Sequence, residues 1–156
     1  MIFEQFYLEC LSHASYLVGD TSTGTAVVVD PQRDIQQYLD RAQELGLTIA
    51  YVLETHFHAD FLSGHLELAN ATGATICFGA EARPQFPARL LEDNERLVLG
   101  EVVIEARLTP GHTPESTSYV VYEHVGDTVP YGVLTGDTLF IGDVGRPDLL
   151  VSVGKT

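Results

Sequence analysis

The stretch TIAYVLETHFHAD, Thr48 to Asp60, runs from a buried strand directly into a cluster of metal-type ligands. Its first half is β-branched and aromatic, the content of a strand covered on both faces. The chain then arrives at His56, His58 and Asp60, two imidazoles and a carboxylate within five residues. Alternate residues of an extended segment point the same way, so these three can share a face. Neutral imidazole nitrogen suits Zn, Fe, Ni and Cu, and carboxylate oxygen adds charge compensation. A single histidine in such a place is more often a satisfied loop polar group. Three candidate ligands at alternate positions reverse that preference.

The flanking sequence reads as a mixed α and β chain. Upstream, IFEQFYLE, ASYLVG and TAVVVD form three successive strands, with the turn from Asp20 to Gly24 between the last two. Asp34 can cap a helix with Gln37 at its third position. Ile35, Tyr38, Leu39, Ala42 and Leu45 then recur at spacings of three and four, and Gly46 stops the run. Downstream, Ser63 or Gly64 starts a second helix through Leu66, Leu68 and Ala69 to Gly73, and ATICFG follows as a strand. Residues 80–96, rich in Pro, Arg and Glu, are expected to form an exposed loop. RLVLG and EVVIEARLT make a hairpin across Gly100; STSYVVYE, a turn through Gly126 and Asp127, and YGVLTGD complete the strands. Strands in two groups separated by helices argue for a sandwich rather than a helical bundle. At 156 residues the chain is expected to be a single domain, residues 1–156.

Two later segments repeat the pattern of a strand running into a ligand. Glu101 to Thr109 leads into Pro110-Gly111-His112-Thr113, and Tyr131 to Thr135 leads into Gly136-Asp137. Each places a ligand beside a glycine, where backbone can approach closely. Alone, a Gly-His or Gly-Asp pair carries almost no information. In the order HxHxD, GH, GD over one short chain they define a candidate metal site.

THFHADF, TPGHTPES and LTGDTLF, in this order, resemble the metallo-β-lactamase superfamily over essentially the whole chain. Within it, CLSHASYL, VVDPQRD, ETHFHADFLSGH and GDVGRPDL are most similar to persulfide dioxygenases, especially the bacterial kind fused to rhodanese domains. The resemblance implies a four-layer αββα sandwich with the metal at one edge between the sheets. It implies one Fe(II) per chain, held by His56, His112 and Asp137 as a 2-His-1-carboxylate triad with open positions for a sulfur ligand and oxygen. His58 and Asp60 then orient ligands and water by hydrogen bonds, or belong to a second site. The implied activity is oxidation of a low-molecular-weight thiol persulfide to sulfite, with persulfide and oxygen as the small-molecule partners. A rhodanese domain in the full-length chain and homo-oligomerisation are further expectations.

Hydrolytic relatives of the glyoxalase II type carry HxHxDH, and their second metal takes that Asp, the adjacent His, a late His and a bridging Asp. Here Phe61 follows Asp60, and no His follows His124. Asp60 and a shared Asp137 are too few ligands to hold a second divalent ion tightly, so a mononuclear centre is expected. The alternatives are a zinc-dependent thioester hydrolase of glyoxalase II type and a catalytically incompetent metal-binding fragment. The fragment reading comes from the C-terminus. Members usually continue past the GRPDL-like segment, whereas residues 149–156 read LLVSVGKT, so the domain is expected to be incomplete there. No motif specifies the carrier thiol, whether glutathione, coenzyme A or another.

Eight Lys and Arg against 22 Asp and Glu give a net charge of -14, a field that repels nucleic acid. No apolar run reaches the roughly 18–20 residues of a membrane span, and the start MIFEQFYLEC lacks the positive charge of a signal peptide. A cytoplasmic protein with no nucleic-acid or membrane partner is expected. Cys10 and Cys77 lie in apolar segments and make no CxxC, so both are expected in the core. His13 and His65 are expected to satisfy local hydrogen bonds, and His124 to sit in a surface loop. Arg146 is the candidate contact for an anionic substrate group, or pairs with Asp148 to fix its loop. Ser116 and Thr117 lack His and Asp partners beyond the metal motif, which argues against a serine nucleophile.

Overall fold

Three strands open the chain, β1 (Ile2–Leu8), β2 (His13–Asp20) and β3 (Thr25–Val29), as the alternation predicts. Helix α1 (Gln36–Glu44) leads into β4 (Thr48–Leu53), and α2 (His65–Thr72) leads into β5 (Thr75–Gly79). A short β6 (Arg89–Leu91) precedes the hairpin of β7 (Arg96–Leu99) and β8 (Val102–Leu108). Then come β9 (Thr117–Tyr122), β10 (Gly132–Leu134) and the two-residue strands β11 (Leu139–Phe140) and β12 (Asp143–Val144). The computed structural model describes residues 1–58, 63–136, 139–140 and 143–144.

The first six strands form one sheet in chain order, β1 to β6. The pairs β1/β2 and β2/β3 are antiparallel, and β3/β4, β4/β5 and β5/β6 are parallel. A second, antiparallel sheet has the order β10-β9-β8-β7. Period-two alternation sends Val27, Val29, Leu53 and Cys77 of the first sheet inward against Leu97, Leu99, Ile104, Tyr119 and Val121 of the second. The residues between them, Ala26, Val28, Val52, Ile76 and Phe78, face the other way and bury Tyr38 and Ala42 of α1 and Leu68 of α2. Strands covered on both faces explain the unbroken apolar runs of β3 and β4. The described residues therefore stack as helices, sheet, sheet, the mixed α/β layering expected of the metallo-β-lactamase fold. Among them no α-helix packs on the outer face of the four-stranded sheet.

Helix α1 ends as the sequence predicts, with Gly46 at φ 67 just past it. At its start Asp34 Oδ1 accepts the Gln36 N–H at 3.2 Å, and Gln37 Nε2 donates to the Asp34 carbonyl at 3.0 Å. Two expectations need correction. Residues 80–96 are more than an exposed loop: β6 adds a parallel strand beside β5, and Leu91 and Ala82 are buried. The Pro and Arg on either side hide a three-residue strand that pairing, not propensity, creates. Cys10 is exposed, because the chain leaves β1 through a single 3₁₀ turn at Glu9–Leu11; Cys77 is buried as expected. Burial pushes the Cys77 thiol up to about 12, so at neutral pH it is a thiol and shielded. The native chain is accordingly expected to take up one equivalent of iodoacetamide, at Cys10, and a second only on unfolding. Rapid labelling of both cysteines in the native chain would contradict this packing.

Asp20 ties the two sheets together at one end. Its Oδ2 accepts from Ser22 Oγ at 2.6 Å, Thr23 N at 2.8 Å and Thr23 Oγ1 at 2.7 Å, while Oδ1 faces Glu101 N at 3.3 Å. Glu101 lies in the β7–β8 turn of the other sheet, beside Gly100 at φ 77, where a Cβ would come within 2.5 Å of Asp20 Oδ2. Burial alone would raise the Asp20 pKa, but these donors bring it down to about 2. A depressed carboxyl contributes stability above its ordinary value of 3.8 and loses it as pH falls towards about 2. Asp20→Asn should therefore cost about 1–3 kcal/mol at pH 7 by urea denaturation. The gap to wild type should narrow as the pH is lowered through that window; a gap independent of pH would contradict the assignment.

Candidate metal centre

Parallel pairing brings the ends of β3 and β4 side by side, and each strand is followed at once by an acid. Asp30 follows β3 with a left-handed φ of 51, and its N–H donates to the Leu53 carbonyl at 2.9 Å. Glu54 follows β4, with its N–H on the Cys77 carbonyl at 3.0 Å. Both side chains are buried. Asp30 Oδ1 accepts the Thr55 N–H at 2.8 Å, and Oδ2 accepts the Thr55 hydroxyl at 2.7 Å. Thr55 Oγ1 in turn lies 2.9 Å from His56 Nδ1.

Three histidines gather beyond this frame. His56 is buried, its ring 4.2 Å from that of His58 and 5.1 Å, edge to face, from that of His112. His112 comes from the β8–β9 loop, which two bonds lock to the β4 end. Glu115 Oε1 accepts the Phe57 N–H at 2.9 Å, and Thr117 donates its N–H to the Thr55 carbonyl at 2.8 Å. Within that loop Ser116 Oγ is 2.7 Å from Thr113 Oγ1, so it serves the turn's geometry. His58 is turned to the acids: its Nε2 lies 3.1 Å from both Asp30 Oδ1 and Glu54 Oε2.

The electrostatics follow from that burial. Desolvation works against a charge on His58, but the two carboxylates dominate and raise its pKa to about 10. Burial opposes ionisation of Asp30 too, yet His58, His56 and the Thr55 N–H hold it well below the ordinary carboxyl range. Glu54 is raised to about 8, chiefly by burial and by the charge of Asp30, with donation from His58 and Ser63 limiting the rise. Ligand-type atoms of Asp30, Glu54 and His58 all lie within 4.8 Å of one another, a spacing that could also hold a cation. In the structure those atoms are joined by hydrogen bonds instead.

The sequence-derived residues fare unevenly. His56, His58 and His112 converge. Asp60, Phe61, Asp137, Arg146 and Asp148 lie outside the described residues. Gly136, one residue before Asp137, is described: at φ 55 it packs on Thr55, and a Cβ there would sit 2.4 Å from Thr55 Oγ1. Gly136 thus lies against the residue adjoining His56. His13 is part of the same network, with its Nε2–H on the Asp30 carbonyl at 2.7 Å and its ring 5.5 Å from that of His58. His65 lies 3.4 Å from Glu54 Oε1 without hydrogen-bond geometry, and burial lowers its pKa. His124 is exposed beside Asp127, as expected. Sequence reading missed Asp30, Glu54, Thr55 and Glu115. For the first two a signal existed: each is an acid placed directly after an apolar strand.

A cavity of about 240 Å³ opens beside His56 and His58, walled by Phe57, Leu66 and Phe78 and including Arg33 and Glu67, which pair at 3.2 Å. A larger one of about 520 Å³ lies over α2, β5 and β6 and shares none of the clustered histidines. No helix among the described residues is long and apolar enough to cross a membrane.

Residues 8–155 match the model of the metallo-beta-lactamase superfamily, and the chain belongs to that superfamily. A solved metallo-beta-lactamase from Staphylococcus aureus is similar with a TM-score of 0.90 and 42% identity, over 97% of this chain and 47% of that one. Among curated relatives, the human mitochondrial persulfide dioxygenase ETHE1 is 32% identical over 91% of this chain and 54% of its own length. The hydroxyacylglutathione hydrolase of Synechococcus is 35% identical over 84% of this chain and 50% of its own length. The chain spans about half the length of these relatives.

The Gly136 contact supplies a test of the centre's construction. Gly136→Ala puts a methyl group into the Thr55 hydroxyl at a left-handed φ, and should cost about 1–3 kcal/mol in thermal or urea unfolding. It should also lower metal retention on dialysis. Unchanged stability and metal content would show that the GD segment does not bear on Thr55.

Proposed function

We propose that the chain is the metal-binding domain, residues 1–156, of an iron-dependent persulfide dioxygenase that oxidises a low-molecular-weight thiol persulfide to sulfite. His56, His112 and Asp137 would hold one Fe(II). The observation that carries this reading is the division of labour among the histidines: the rings of His56 and His112 meet at 5.1 Å, while His58 Nε2 is engaged by Asp30 and Glu54. The donor set fits the metal, because two imidazoles and one carboxylate leave coordination positions open. When bound, the ion supplies those positions to persulfide sulfur and oxygen, together with the redox states that oxygen transfer requires.

The chain's own residues prepare the place. Asp30 holds His56 through Thr55 and holds His58 directly, so both rings are oriented before any ligand arrives. Phe57 and Phe78, with centroids 4.6 Å apart, give the adjoining cavity an apolar wall that limits water. Arg146 remains the proposed contact for an anionic group of the substrate. In balance, one persulfide, one oxygen and one water give the thiol, sulfite and two protons; no protein nucleophile is consumed.

The similarity to hydroxyacylglutathione hydrolases favours a second reading, a zinc-dependent thioester hydrolase. Phe61, where the HxHxDH pattern has a histidine, weighs against it. The two separate cleanly in assay. Protein loaded anaerobically with Fe(II) should retain about one metal per chain and consume oxygen with glutathione persulfide, forming sulfite. The zinc form should do neither reaction with persulfide. Asp137→Ala should lose iron retention and turnover together, whereas His58→Ala should lower turnover and keep some metal. Thioester hydrolysis by the zinc form, with no oxygen uptake by the iron form, would establish the hydrolase instead. Inactivity of residues 1–156 in both assays, rescued in a longer chain, would instead show a catalytically incompetent metal-binding fragment that lacks its pocket.

A further inference from the structure

Thr55 is 2% exposed, and each of its polar atoms is committed. Its N–H donates to Asp30 Oδ1 at 2.8 Å, its carbonyl accepts from Thr117 N at 2.8 Å, and its hydroxyl sits between Asp30 Oδ2 at 2.7 Å and His56 Nδ1 at 2.9 Å. Gly136 closes over that hydroxyl from a third side. A hydroxyl has one hydrogen to donate and lone pairs to accept with. Three donors converge on the Asp30 carboxylate, Thr55 N, Thr55 Oγ1 and His58 Nε2, so Asp30 is the acceptor in each bond. The Thr55 hydrogen is thereby assigned to Asp30. Its contact with His56 Nδ1 is then a hydrogen bond only if Nδ1 carries the hydrogen and the hydroxyl accepts it.

We infer that Thr55 is a positioning residue that fixes His56 as the Nδ1–H tautomer, leaving the lone pair on Nε2 for a metal ion. Ligand histidines commonly donate their second nitrogen straight to a carboxylate or a carbonyl. Here a threonine hydroxyl is interposed, and that spacing frees the other edge of Asp30 for His58. One carboxylate thus orients two neighbouring imidazoles, one directly and one by relay. The tautomer stands on geometry alone; its service to a metal rests on the function proposed above.

The test uses the full chain and two variants, Thr55→Val, which keeps the shape and removes the hydroxyl, and Thr55→Ser, which restores it. Ring ¹⁵N–¹H correlation spectra of histidine-labelled, chelator-treated protein report the tautomer directly. Wild type and Thr55→Ser should show His56 protonated at Nδ1 and bare at Nε2, and Thr55→Val should show both tautomers. Competition with an Fe(II) chelator under anaerobic conditions should find affinity weakened about 10- to 100-fold in Thr55→Val. Thr55→Ser should return to within about threefold of wild type, a rescue that loss of packing alone would not give. A wild-type His56 carrying its hydrogen on Nε2, or a Thr55→Val with wild-type tautomer and affinity, overturns the proposal. Should Thr55→Val not fold, the wild-type and Thr55→Ser spectra still decide it. Should wild type bind no iron at all, the dioxygenase reading falls while the spectra still decide the tautomer.

Discussion

The two-pronged grip of Asp30 on Thr55, one oxygen on the amide and one on the hydroxyl, locks the ends of two parallel strands at the edge of the sandwich. An isolated buried carboxylate would be costly by several kcal/mol. Asp30 avoids that penalty by receiving His58 as well, and its left-handed backbone is held from the other side by His13 on its carbonyl. Strain at a non-glycine residue persists where surrounding bonds over-determine the conformation. Once Asp30 is seated, the directions of Thr55, His56 and His58 follow.

The centre belongs to both sheets. Thr55 and His56 leave the first sheet, whereas His112 hangs from a loop between two strands of the second. The bonds from Thr117 to Thr55 and from Phe57 to Glu115 cross between them near the histidines. The spacing of His56 and His112 is therefore governed by how far apart the sheets stand, and so by the side chains packed between them, Leu53, Tyr119 and their neighbours. Tyr119 contributes twice, as a core ring and through its hydroxyl on the Glu54 carbonyl at 2.8 Å. Close packing transmits such spacing because interiors yield little.

This division explains what the sequence could disclose. Strands β3, β4, β8 and β9 were legible because local alternation and apolar runs announce them, and His56, His58 and His112 because metal-type ligands stood just past strand ends. β6 was not, since three residues carry too little pattern and its existence depends on β5 being beside it. Cys10 was misplaced for a similar reason: apolar neighbours suggested the core where the chain makes one 3₁₀ turn at the surface. Thr55 and Glu115 were invisible for a different one. Their roles lie in contacts across 25 and 58 positions of sequence, to Asp30 and Phe57, and a polar residue in a loop gives no local sign of such a partner.

The acidity of the chain bears on the proposed chemistry less than its net charge suggests. At physiological salt, exposed charges are screened beyond about 8 Å, so an incoming anion responds to the groups lining the site rather than to the total of -14. Among those groups is Glu54, where burial and the neighbouring Asp30 favour the neutral acid. Burial opposes a charge on His58 but Asp30 favours it, and the ring pairs with both acids and packs against His56. A divalent ion held by two neutral imidazoles and one carboxylate would keep about one positive charge. That local charge, rather than the net charge of the chain, is what an anion entering the site would meet.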